Sequence, residues 1–184
     1  MKNHLEQLRL QGKEKMIEQA VALLEEKHPA LDPDYSDYEI TVWTNSTTVL
    51  IKFRYLFRIY SAAVAGNSSP VCDLTVDLMS GEIYPLDDWF AKDRFHYLTS
   101  NEKEILRFVK ENTDLPYEVK RNYTYEIHDM EGYYTIYIRM NGSFTNYRID
   151  KITGEQSGYN ELNANPALLP EMDTGNPDPL TELH

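Results

Sequence analysis

The stretch from residue 49 to residue 60 constrains this chain more than any other. Across it Ile51, Phe53, Tyr55, Phe57 and Ile59 alternate with Lys52, Arg54, Leu56, Arg58 and Tyr60. Successive side chains of a β-strand leave on opposite faces, so the pattern predicts one long strand with a greasy face and a mixed face. The greasy face needs a covering layer. A candidate precedes it. Met16, Ile17, Ala20, Val21 and Leu24 recur at helical spacing and predict a helix over about residues 5–27, stopped by Pro29 and Pro33. Residues 38–43 alternate as well, Asn45-Ser46-Thr47 reads as a turn, and residues 71–78 read as a third strand that ends at Ser80-Gly81.

A second round follows. Thr99 and Glu102 have the spacing of a capping box, and Ile105, Leu106 and Val109 form the buried side of the helix it would start. Three strands are predicted after Pro116, over residues 117–128, 133–140 and 144–152, with Glu131-Gly132 and Asn141-Gly142 as the turns between them. The two rounds share a local sequence. Val76-Asp77-Leu78-Met79-Ser80-Gly81-Glu82 matches Ile149-Asp150-Lys151-Ile152-Thr153-Gly154-Glu155 as apolar-Asp-x-x-Ser/Thr-Gly-Glu, 73 residues apart. An aspartate that bonds backbone amides and a glycine that turns the chain explain the pattern physically. The expected fold is therefore α+β, two helix-plus-antiparallel-sheet units of about α-β-β-β each, with the helices packed on one sheet face and an internal duplication behind the repeat. The expected division is residues 1–92, residues 93–159, and an acidic tail over 160–184 interrupted by Pro166, Pro170, Pro177 and Pro179.

The short motifs at 77–82 and 150–155, each at the end of a strand that follows a helix, resemble the PepSY-like and cystatin-like group of small α+β units. The first half, as far as Tyr84-Pro85-Leu86-Asp87-Asp88-Trp89, is also similar to small bacterial immunity domains of polymorphic toxin systems. These resemblances imply a helix packed across an antiparallel sheet and a role in binding or inhibiting other proteins. Tandem helix-plus-sheet inhibitors of β-lactamase offer a fold-level analogy only.

Charge narrows the partners. The formal net charge is −12, so nucleic acid is not expected, and a protein partner with a basic surface would be steered toward the chain. Cys72 is the only cysteine, which excludes an intrachain disulfide and a cysteine metal cluster. The first residues lack a secretory apolar stretch and no segment reads as a membrane span, so a cytoplasmic location and no membrane association are expected.

No catalytic constellation emerges. Cys72 sits beside Asp73, whose charge would raise a thiol pKa, and reads as a packing residue. His4, His28, His96, His128 and His184 form no metal-binding spacing, and there is no phosphate-binding glycine loop. Asp87-Asp88 before Trp89 reads as a helix start. No metal or cofactor is expected.

The remaining feature is the mixed sheet face. With 14 tyrosines the chain is rich in a residue suited to half-buried positions. Trp43, Arg54 and Arg58 in the first round and His128, Tyr137, Arg139 and Arg148 in the second are the candidate binding residues, with Tyr133 beside them. Aromatics and arginine dominate interface hot spots. A plainer reading competes, in which Lys52, Arg54 and Arg58 pair across strands with Glu39, Asp73 and Asp77. The expected function is a non-enzymatic protein-binding module, in the form of a toxin-immunity or inhibitor protein. The alternatives are a small-ligand binder or hydrolase with His96, Tyr97 and Asp88 near a cleft, and a structural module that forms a homodimer through its sheet.

Overall fold

We describe a computed structural model of the chain, covering residues 2–31, 33–61, 73–85, 98–114, 123–140, 143–163 and 175–184. Among the described residues it is α+β, with three α-helices and two five-stranded, mostly antiparallel sheets. The chain divides into two compact units. One comprises Met1–Arg54, Cys72–Tyr97 and Pro170–His184; the other comprises Tyr55–Val71 and Leu98–Leu169. Tyr55, inside the long alternating run, opens the second unit, and the C-terminal residues belong to the first.

The first unit opens with α1 (Lys2–Gln11) and α2 (Lys13–Lys27). The single helix expected over 5–27 is broken at Gly12, which has φ of 84°, a backbone geometry that glycine adopts without penalty. Met16, Ala20 and Leu24 of α2 are buried, as their spacing requires. Two short 3₁₀ turns, Pro29–Leu31 and Tyr35–Asp37, lead into β1 (Tyr38–Thr44). β2 (Val49–Tyr55) follows after a turn in which Asn45 Oδ1 accepts from the amides of Thr47 and Thr48.

The expected long strand over 49–60 does not persist. It divides at Leu56 into β2 and β3 (Phe57–Ser61), and the two pieces join different sheets. Tyr55, Leu56 and Phe57 are all buried, so the period-2 exposure fails at the junction. Leu56 is accordingly a core residue rather than part of an open face.

β4 (Leu74–Asp77) and β5 (Glu82–Pro85) complete the first sheet, whose order is β10-β1-β2-β4-β5. Its last member, β10 (Thr181–Leu183), pairs antiparallel with Val42, Trp43 and Thr44 of β1. Asp178 holds this strand down by accepting from the Ser46 amide and hydroxyl. The region read as a tail thus supplies an edge strand.

The second unit contains α3 (Ser100–Glu111), which begins as expected. Thr99 accepts from the Glu102 amide, and Glu102 accepts from the Thr99 amide. Ile105, Leu106 and Val109 are buried. Then come β6 (Tyr123–Asp129), β7 (Tyr133–Met140), β8 (Ser143–Asp150) and β9 (Gln156–Asn163). They form an antiparallel meander, and β3 adds to its free side parallel to β6, giving the order β3-β6-β7-β8-β9. Each round thus has four meander strands rather than three, since β5 and β9 follow the shared turn.

Those two turns have the same bonding. Asp77 Oδ1 accepts from the amides of Met79 and Ser80, Ser80 Oγ accepts from the Glu82 amide, and the Gly81 amide donates to the Asp77 carbonyl. Asp150, Ile152, Thr153, Gly154 and Glu155 repeat each of these bonds. Gly81 and Gly154 have φ of 70° and 71°. In each unit the end of a helix reaches the glycine: Lys27 Nζ donates to the Gly81 carbonyl, and Asn112 lies against Gly154.

Candidate functional site

Register decides which side chains share a face of the second sheet. Phe57, Tyr125, Ile138 and Thr145 are aligned across β3, β6, β7 and β8, and so are Ile59, Ile127, Ile136 and Tyr147. Of these only Tyr147 is not fully buried. Phe57 stacks on Tyr125 at 5.4 Å, and α3 meets this same face through Phe108 against Tyr134 and Lys110 above Phe57.

The intervening rows build the opposite face. One runs Arg58, Glu126, Tyr137, Asn146; the next runs Tyr60, His128, Thr135, Arg148. Thr124 with Arg139, and Tyr133 with Asp150, flank them. Arg58, His128, Tyr137, Arg139 and Arg148 therefore come together on one surface, with Tyr133 beside them. Arg58 does so because β3 joined this sheet and not the first.

The contacts within this face are specific. Tyr60 and His128 stack almost parallel, with centroids 4.5 Å apart and planes 13° apart. Tyr137 meets the imidazole edge-on at 5.0 Å and 79°. His128 Nε2 is buried and lies 3.5 Å from Glu126 Oε2, without a hydrogen bond to it. Glu126 is instead engaged by Arg139, whose Nε donates to Oε1 at 2.5 Å and whose second nitrogen donates to Oε2 at 3.3 Å. That hydrogen bond, more than any other influence, raises the Arg139 pKa further above its ordinary value. Arg58 donates to the backbone carbonyls of Tyr55 and Phe57. Arg148 is exposed, lies 5.0 Å from the Tyr133 ring centroid, and makes no ion pair among the described residues. The nearest carboxylate along its own strand, Asp150, is turned to the amides of Ile152 and Thr153, which depress its pKa.

Trp43 and Arg54 sit elsewhere, in the first sheet. The Trp43 indole donates to Thr41 and carries Lys52 above its ring at 4.4 Å. Arg54 donates to Glu39 at 2.5 Å, the cross-strand pairing weighed against a binding role. Among the same-parity positions of this sheet Leu50, Asp73 and Thr75 are buried, Lys52, Asp77 and Tyr84 are half-buried and Glu82 is exposed. Both mixed faces are mostly half-buried, and among the described residues it is the second that carries exposed arginines, Arg139 and Arg148.

Tyr60 and Glu126 belong to the cluster and were not among the candidate residues. Glu126 has the parity of His128 on one strand and was legible from that alternation, whereas Tyr60 joins through the parallel pairing of β3 with β6, which no local pattern announces. Cys72, Asp87, Asp88, His96, Tyr97 and the Asn141-Gly142 turn lie outside the described residues. Among the described residues no group of three or more His, Cys, Asp and Glu is placed to hold a metal, and no helix is long and apolar enough to cross a membrane. Comparisons with protein-family models, with curated proteins and with solved structures gave no match for this chain.

Proposed function

We propose that this chain is a non-enzymatic protein-binding module, of the toxin-immunity or inhibitor kind, that works in the cytoplasm through the Tyr/Arg face of its second sheet. The observation that carries this reading is the exposed Arg148 on Tyr133, set beside the Tyr60–His128–Tyr137 stack on a regular sheet. Arginine and tyrosine supply most hot-spot energy in interfaces, and side chains already ordered by their neighbours lose less entropy on binding. Trp43 and Arg54 are left out, because their polar groups are used within the first sheet.

A photo-crosslinking amino acid at position 133, in cells of the native host, tests the proposal. The expected result is one discrete adduct that disappears when Arg148→Glu is added and does not form from position 107 on α3. Equal labelling from both positions, or none from 133, refutes it. Self-association through this face is disfavoured, because two copies meeting there bring arginine-rich surfaces together. Light scattering checks that alternative. The ligand-cleft alternative rests on His96, Tyr97 and Asp88, outside the described residues.

We also propose that the two units arose by internal duplication, each a helix packed on one face of a four-stranded meander. Support comes from the matched turn bonds, the matched glycine φ angles, and a helix end meeting the turn glycine in both units. The resemblance to PepSY-like, cystatin-like and bacterial immunity units stands on the same footing.

A further inference from the structure

We infer that the Tyr/Arg face of the second sheet takes a carboxylate-bearing segment of its partner, against the expectation of a basic partner drawn from net charge. This rests on the protein-binding reading and specifies its chemistry. Net charge governs approach over long distances, but at physiological salt fields between exposed charges fade within about 8 Å. The groups on the face itself then decide what it accepts.

Three arginines, Arg58, Arg139 and Arg148, share this face with two carboxylates, Glu126 and Asp150, a formal balance of plus one within a chain of −12. Both carboxylates are committed: Glu126 to Arg139 by two hydrogen bonds, and Asp150 to the amides of its own turn. Neither neutralises Arg148. Its guanidinium rests on the Tyr133 ring, which orients it while leaving its donors available to an incoming group. A planar fork of donors matches a carboxylate with two parallel hydrogen bonds. The Tyr60, His128 and Tyr137 rings on the same face offer stacking surface, so the fitting segment carries carboxylates and aromatic side chains in turn at every second residue, the spacing at which an extended strand directs side chains to one face. A basic segment would meet Arg58, Arg139 and Arg148 with like charge.

The test uses two fluorescein-labelled octapeptides with the 184-residue chain at physiological salt, one of two glutamate-serine-tyrosine-serine repeats and one of two lysine-serine-tyrosine-serine repeats. Affinity is read by anisotropy and location by backbone amide shifts. The acidic peptide is expected to bind with shifts at Tyr133, Tyr137 and Arg148, and to lose about tenfold in affinity on Arg148→Glu. Arg107→Glu on α3, an exposed arginine of the same unit, should leave affinity unchanged. Preference for the basic peptide with the same shifts overturns the acidic assignment and leaves the binding face standing. Failure of both peptides to move any amide on this face overturns the two together. Amide spectra of Arg148→Glu establish that the sheet is intact when its affinity falls.

Discussion

The two turn glycines allow a controlled comparison. At φ of 70° and 71°, Gly81 and Gly154 occupy the left-handed region, where an L-residue with a Cβ costs about 1–2 kcal/mol. Replacing either by alanine therefore carries the same backbone penalty. Their surroundings differ. A Cβ at Gly81 would meet only the Lys27 ammonium at 3.7 Å, an ordinary contact. A Cβ at Gly154 would lie 2.3 Å from Asn112 Oδ1 and 3.0 Å from its Cγ, closer than atoms approach, so the side chain must swing away. Asn112 caps α3 by donating Nδ2–H to the Phe108 carbonyl at 2.9 Å, a bond worth about 0.5–1.5 kcal/mol that this movement breaks. Gly154→Ala should thus cost about 1.5–3.5 kcal/mol and Gly81→Ala about 1–2 kcal/mol.

Asn112→Ala separates the two contributions. It removes the cap bond and the clash together, because the Asn112 Cβ lies at an ordinary 3.6 Å. In that background Gly154→Ala should cost no more than Gly81→Ala, with a coupling of about 1 kcal/mol in the double-mutant cycle. Urea denaturation followed by circular dichroism, with the transitions of the two units fitted separately where they part, measures the four variants against the unsubstituted protein. Equal costs for the two glycines, or strict additivity with Asn112→Ala, refutes the claim that the helix end and the turn are in contact.

Four further outcomes follow from the geometry. Ile136→Ala, at a fully buried position in the second sheet, should destabilise by about 2–5 kcal/mol in the same assay. Thr99→Ala, which removes the α3 cap, should cost about 1 kcal/mol and speed amide exchange in the first turn of the helix. Asp178→Ala should raise hydrogen exchange at Thr181–Leu183 while leaving β2 and β4 protected, as measured by mass spectrometry. The Asp150 carboxyl titrates below its ordinary range because the Thr153 and Ile152 amides bond its charged form. Its stabilising contribution is present above the unfolded pKa and is lost as pH falls from about 5 through the folded value. Asp150→Asn keeps an acceptor for both amides and should flatten that part of the acid limb in a pH series of urea midpoints.

Features carried by a few neighbouring residues were legible in the sequence. The capping box at Thr99 and Glu102 and the aspartate turns at 77–82 and 150–155 each close within six residues, so their chemistry is local. The division of β2 from β3 was not legible, because Tyr55, Leu56 and Phe57 give the same alternating pattern whether the strand runs on or bends. No glycine or proline marks the bend. β5 and β9 escaped for another reason. Glu82-Ile83-Tyr84-Pro85 and Gln156-Ser157-Gly158-Tyr159 are short or polar, as outer strands of a sheet often are, and carry little periodic signal. β10 depends wholly on a partner strand near the other end of the chain.

The same bend explains why the candidate site could be named in part and not assembled. Arg58 and Tyr60 come after it, and parity along the expected long strand grouped Arg58 with Arg54 and Trp43. Once the chain changes sheets at Leu56, Arg58 and Tyr60 fall in line with Glu126 and His128 instead, and Tyr60 covers one side of an imidazole that would otherwise face water. The edge beside the meander is thus filled differently in the two sheets, by β10 in the first and by β3 in the second. Only β3 delivers an aromatic and an arginine to the mixed face; β10 lays Glu182 beside Trp43. On the duplication and binding face proposed above, the two units differ in what fills that edge, and it is this filling that brings Arg58 and Tyr60 to the proposed face.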